Sequence, residues 1–127
     1  MLKIKGKSEF NKEALEYLIE DWHWDKKSHE FARKMGLFML GFFEHLENQN
    51  LSGSTRRKHE RNCSLIGKFV ADYGYHDEFT PKILTGKPGY ISEFKRKVIN
   101  TNSMVESYKT TWRKLAKYAS LQIKKNA

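Results

Sequence analysis

Residues Leu51–Gly74 read LSGSTRRKHERNCSLIGKFVADYG. Ser52 is a preferred helix N-cap, and Gly74 follows the last periodic residue, where a left-handed glycine commonly closes a helix. One helix is predicted. At about 100° per residue, Thr55, His59, Asn62, Ile66, Phe69 and Tyr73 share one side, with Leu65 and Val70 flanking them. That side is the expected core face. The opposite side carries Arg57, Arg61, Ser64 and Lys68, a stripe at i, i+4, i+7 and i+11 with three positive charges and no acid. This stripe points to a surface that meets a polyanion.

Working outward, the same periodicity recurs and strict apolar–polar alternation does not. With two prolines and eight glycines in 127 residues, an all-α fold follows: a single-domain bundle of about five helices. Ser28 is expected to cap a long helix to about Asn48. There Phe31, Met35, Phe38, Met39, Phe42, Phe43 and Leu46 form a broad apolar face that Leu37 and Leu40 widen, as suits the central core helix. Gly36 and Gly41 cost about 1 kcal/mol each in a helix interior relative to Ala. Close helix approach would account for them.

Before that helix, Lys3 to Lys7 reads as a frayed arm, and Asn11 caps a short helix over Lys12 to Trp22. Its Ala14, Leu15, Leu18 and Ile19 face inward, and Glu13, Glu16 and Glu20 face outward. Trp22-His23-Trp24 then reads as a connection whose tryptophans close one end of the core. On this division residues 1–27 are an N-terminal helix and connection, and 28–127 are the bundle proper. After the organising helix, Tyr75 to Phe79 is irregular and Thr80-Pro81 opens one or two turns through Leu84. Tyr90 to Ile99 is a shorter helix with Ile91, Phe94 and Val98 on one face. The last helix, Met104 to about Ile123, starts at the S-x-x-E capping box Ser103 to Glu106. Tyr108, Trp112, Leu115 and Ala119 form its core seam, with Val105, Ala116 and Ile123 beside it. Its outer side, Thr110, Arg113 and Lys117 flanked by Lys109 and Lys114, is a second basic stripe.

Charge divides unevenly along the chain. The 24 Lys and Arg against 15 Asp and Glu give a net charge of +9. Residues 1–50 hold eight basic and nine acidic side chains, so the entire excess lies in residues 51–127. A polyanion partner fits that excess, and a merely solvated basic surface is the plainer reading. Cys63 is the only cysteine, which excludes an internal disulfide and favours a reducing compartment, the cytoplasm by default. The start, MLKIKGKSEF, lacks the apolar core of a signal peptide, and no uncharged apolar run is long enough to cross a bilayer.

Other chemistry has little support in the sequence. His59 and Cys63, four apart on one helix, offer two zinc ligands, but no second pair completes a tetrahedron. His29, His45 and His76 are scattered. No nucleophile elbow, phosphate-cradling glycine loop or paired carboxylates occur, and Lys87 after Gly86 lacks the rest of a P-loop. No enzyme, metal or cofactor is expected.

Phe42-Phe43-Glu44-His45-Leu46, then Leu51-Ser52-Gly53-Ser54-Thr55, then Leu65 with Phe69, resembles the F-x-x-x-L and L-S-x-x-T patterns of the core-binding, SAM-like domain of tyrosine recombinases and phage integrases. Ile91-Ser92-Glu93-Phe94 looks like that domain's third helix, and Ser103 to Tyr118, with Trp112 and Leu115, like its fourth. The likeness covers about residues 31–120. It implies a small helical bundle that clamps one side of double-stranded DNA, with the helix after L-S-x-x-T and the last helix facing the duplex. Carried over by position, these supply Arg57, Arg61 and Lys68, and Arg113 and Lys117. The catalytic domain that follows in recombinases, with its Arg, His and nucleophilic Tyr, has no counterpart before Ala127, so no strand-transfer chemistry is expected. The acidic first helix and Trp22 to Trp24 have no counterpart either, and a shared fold does not carry function with it.

The expectation is therefore a non-enzymatic DNA-binding module. Its nucleic-acid-facing residues would be Arg57, Arg61, Ser64, Lys68, Lys109, Arg113, Lys114 and Lys117. Two other classes stay open. One is a helical interaction module, dimeric or with an acidic protein partner, for which Leu121 projects outward. The other is a ligand site on Trp22, His23 and Trp24, since aromatic faces bind bases and cations.

Overall fold

A computed structural model describes residues 15–22, 26–74 and 76–126. The expected arm, the Asn11 cap, Glu13, Ala14, His23 and Trp24 lie outside them. Every regular element among the described residues is helical: α1 (Leu15–Trp22), α2 (Lys26–Glu47), α3 (Gly53–Tyr73), a 3₁₀ turn (Pro81–Leu84), α4 (Ile91–Lys97) and α5 (Asn102–Lys125). The all-α bundle of five helices is as the periodicity predicts.

Helix α2 supplies the largest share of the described core because it is apolar on more than one side, whereas α3 packs on three other α-helices. Met35, Met39 and Phe42 have no exposed surface, and Phe31, Leu40, Phe43 and Leu46 are buried with them. Leu37 is different: it is 46% exposed, because it lies two residues, about 200°, from both Met35 and Met39. Helix α1 packs on α2 and α3, α3 on α2 and α5, and both the 3₁₀ turn and α4 on α5. One apolar cluster runs from Leu18 of α1 to Ala119 of α5. Its far end is aromatic, with the Phe94 ring stacked on Tyr108 at 4.5 Å.

Ser52 caps α3 as expected, its hydroxyl accepting from Thr55 N at 3.1 Å. Gly74 closes the helix, but in the right-handed conformation, with φ −78°. Glycine is needed there for space: a Cβ would lie 2.6 Å from both Val70 O and the His76 ring. The start of α5 also differs. Thr101 is the cap, extended and accepting from Met104 N, and Ser103 lies inside the first turn. Starting two residues earlier lets Val105 N bond Thr101 O at 3.0 Å while the Val105 side chain is buried. Ser28 likewise sits within α2, which begins at Lys26. Helix α4 is shorter than predicted and buries only Phe94, leaving Val98 42% exposed. Tyr90, its N-cap, adopts the left-handed conformation (φ 59°), and the helix ends at Lys97 before Val98 can turn inward. Ile123, expected beside the α5 seam, is 38% exposed.

Two glycines let helices touch. At Gly41 a Cβ would stand 2.6 Å from the Tyr118 hydroxyl, so α5 lays that ring across α2 there. At Gly67 a Cβ would overlap the Trp22 indole. Trp22 is fully buried, and its Nε1–H donates to Ser64 O at 3.0 Å, pinning α1 to the side of α3. Gly67→Ala is therefore expected to destabilise the fold by about 1–3 kcal/mol through overpacking, measured by urea unfolding. Wild-type stability in that variant would mean that α1 is not seated on α3.

Candidate nucleic-acid interface

Helices α3 and α5 carry the two basic stripes, and a buried polar contact joins them. His59 Nδ1 lies 2.7 Å from Thr111 Oγ1. Asn62 Nδ2 donates to the same oxygen at 2.9 Å and to Ser107 Oγ at 3.1 Å. Because Thr111 Oγ1 accepts from Asn62, its own proton is available to Nδ1 of a neutral His59. The pairing of residues 59 and 62 with 111 and 107 sets α3 and α5 antiparallel and side by side. The sequence placed His59 and Asn62 inward, and they are 5% and 0% exposed. It did not single out Thr111, which is fully buried although it neighbours outward-facing Thr110.

This contact fixes which cations share a surface. On α3, Lys58 lies only about 40° around the helix from Asn62, and Arg61 about 100°, on the exposed side; both are exposed. Lys58 was not among the predicted residues. Its position four before Asn62 was the available signal, but recognising it required knowing that Asn62 meets α5. On α5, Lys114 lies one turn from Thr111 and close enough for its charge to act on His59. Lys117 follows one turn later and borders the same end of α2 as Lys114.

The other predicted residues are distributed around this seam. Arg57, Arg61 and Ser64 border an open cleft of about 430 Å³ with Tyr17 and Leu18 of α1 and Phe43 of α2. The predicted outer face of α3 is thus partly flanked by α1, and the Ser64 carbonyl is taken up by Trp22. Lys68 pairs with Asp72 at 3.7 Å. Lys109 pairs with Glu106 at 3.4 Å. Lys109 and Arg113 each stand two residues from Thr111, about 200° around α5, and so point away from α3. Glu60 lines the same cleft as Arg57 and feels its charge, whereas Arg61, Arg113, Lys114 and Lys117 form no ion pair among the described residues.

No cluster of metal-ligating side chains occurs among the described residues. Cys63 is buried, and burial pushes its thiol far above the usual range, which makes it an inert core residue. Among the described residues no helix is long and apolar enough to cross a membrane. Trp22, one of the proposed ring ligands, is wholly enclosed by packing. No protein-family model, curated protein or solved structure matches this chain.

Burial, and then the Lys114 charge, hold the His59 pKa below its ordinary 6.5. The unfolded chain takes up this proton near pH 6.5 and the folded chain only at lower pH, so stability is lost as pH falls from neutrality through the folded pKa. Nearby Glu60 acts in the opposite sense, since burial raises its carboxyl, so the His59 contribution is read from the difference between wild type and a His59 variant. Unfolding free energies measured at about pH 7.5 and 5.5 should therefore fall on acidification, and should fall less in His59→Gln. An unchanged pH dependence in that variant would remove His59 as the cause.

Proposed function

We propose that this protein is a non-enzymatic module that binds double-stranded DNA across the seam between α3 and α5. The observation that carries the reading is the antiparallel pairing of these helices through His59, Asn62 and Thr111. It sets Lys58 and Arg61 of α3 on the same exposed side of the seam as Lys114 and Lys117 of α5, with Arg57 farther around α3 toward α1 and Arg113 on the far side of α5. Packed helices lie about 8–10 Å apart, so cations on both can reach phosphates of one duplex. Ser107 and Thr110 precede Lys114 on the same side of α5 and offer hydroxyl donors suited to phosphate oxygens. The likeness of LSGST and the last helix to an integrase core-binding domain supports the same two helices as the DNA-facing pair. The lone buried Cys63 is consistent with the reducing cytoplasm in which such a module would act.

Lys68 and Lys109 have secondary roles in this reading, because their acidic neighbours already offset their charge. Contacts of this kind release counterions and position a protein on DNA without reading its sequence. A helical protein-interaction module is the competing reading; Leu121, 45% exposed on α5, favours it.

Labelled duplex should bind with an affinity that falls as salt rises. Arg61→Gln and Lys114→Gln should each reduce the slope of log K against log salt by about one, and Lys68→Gln and Lys109→Gln by less. Charge reversal at Arg57, Arg61, Arg113 and Lys117 together should abolish binding. Equal low-salt binding by wild type and that variant would defeat the proposal.

A further inference from the structure

At the end of α2, residues of α2, the α2–α3 turn and α5 line a cleft of about 260 Å³. Its apolar and aromatic wall is Phe42, His45, Leu46, Tyr118 and Leu121. Its polar rim is Gln49 of the α2–α3 turn and Lys114 and Lys117 of α5. The wall is built, not incidental. Gly41 makes room for the Tyr118 hydroxyl against α2, and the tyrosine ring, tilted to both neighbours, has its centroid 5.5 Å from Phe42 and 5.1 Å from His45. Gln49 Nε2 donates to His45 Nε2 at 2.9 Å, which fixes the imidazole against the tyrosine. Neither lysine has a carboxylate partner among the described residues. Burial, and then the Glu44 charge, raise the Tyr118 phenol above its ordinary range.

Two chemistries therefore adjoin in one cleft: a ring-lined apolar wall and a pair of ammonium groups at its mouth. A bare inorganic anion would use only the ammonium groups, and an uncharged apolar ligand only the wall. A planar base carrying a phosphate uses both, by stacking and by charge. We propose that this cleft binds a single nucleotide, its phosphate on Lys114 and Lys117 and its base against Tyr118 and His45. The site goes beyond duplex binding, because it needs neither Arg57 nor Arg61, which border a different cleft. The nucleotide is either free or the unpaired end of a DNA strand; the chemistry is the same.

The test is titration of the full-length, ¹⁵N-labelled protein with deoxyadenosine monophosphate, deoxyadenosine and inorganic phosphate, read by amide shifts. The monophosphate should move His45, Gln49 and Tyr118. Deoxyadenosine and phosphate should each bind about tenfold more weakly, as loss of charge pairing or of stacking predicts. Lys114→Gln/Lys117→Gln should weaken the monophosphate at least about fivefold, and Arg57→Gln/Arg61→Gln should leave it unchanged while weakening blunt duplex. Phosphate binding as tightly as the monophosphate would overturn the proposal. So would monophosphate binding unaffected by the lysine substitutions, or no shift at about 10 mM ligand. Tighter binding of an overhanging duplex than a blunt one, lost in the lysine variant, assigns the strand end as the source. Equal binding of the two duplexes alongside monophosphate binding assigns the free nucleotide.

Discussion

The hydroxyl of Thr111 sits where α3 and α5 meet, between the imidazole of His59 and the amide of Asn62. Apolar surfaces can slide past one another at modest cost, whereas a buried donor left without its acceptor costs about 1–3 kcal/mol. This small polar cluster therefore fixes the register of two helices whose apolar contact includes Phe69 against Tyr108. The register in turn decides which surface cations are neighbours. The cluster is not fully satisfied: Asn62 Oδ1 has no protein partner among the described residues. Its value lies in specifying one alignment.

The same alignment gathers part of the positive excess of residues 51–127 along one seam. Lys58, Arg61, Lys114 and Lys117 lie around the α3–α5 seam, while Lys68 and Lys109 are drawn into ion pairs within their own helices. Exposed pairs of that kind contribute little to stability, about 0–1 kcal/mol. Their effect is on the field a partner meets. Helix α1 shapes the other edge: it brings Tyr17 and Leu18 alongside Arg57 and Arg61, with Glu16 and Glu20 exposed on the same short helix. Among the described residues, α1 thus borders the cleft that Arg57 and Arg61 line.

Most of the fold was legible because helix burial follows a local period. The core residues of α2, α3 and α5, the Ser52 cap and the Thr80-Pro81 turn all follow from spacing and side-chain chemistry. Misplaced details arose where two local signals were equally good. Thr101 and Ser103 can both cap a helix, and burial of Val105 selects the earlier one. Val98 fits the α4 period, but the helix stops short of the turn that would bury it. Gly74 was assigned a left-handed role, yet its need is room beside His76 and Val70.

The sequence by itself determined that the chain is helical, that α3 and α5 each have one apolar and one basic side, and that the positive charge lies after Asn50. These properties depend on residue type and a repeat of 3.6, which one helix carries without its neighbours. Only the tertiary structure decided that Lys58 belongs to the seam, that Lys109 and Arg113 point away from it, and that His45, Gln49 and Tyr118 join Lys114 and Lys117 around one cleft. Such neighbours are set by the rotation of one helix about its axis relative to the next. That rotation is fixed by contacts between distant residues, His59 with Thr111 and Trp22 with Gly67, which no local period encodes.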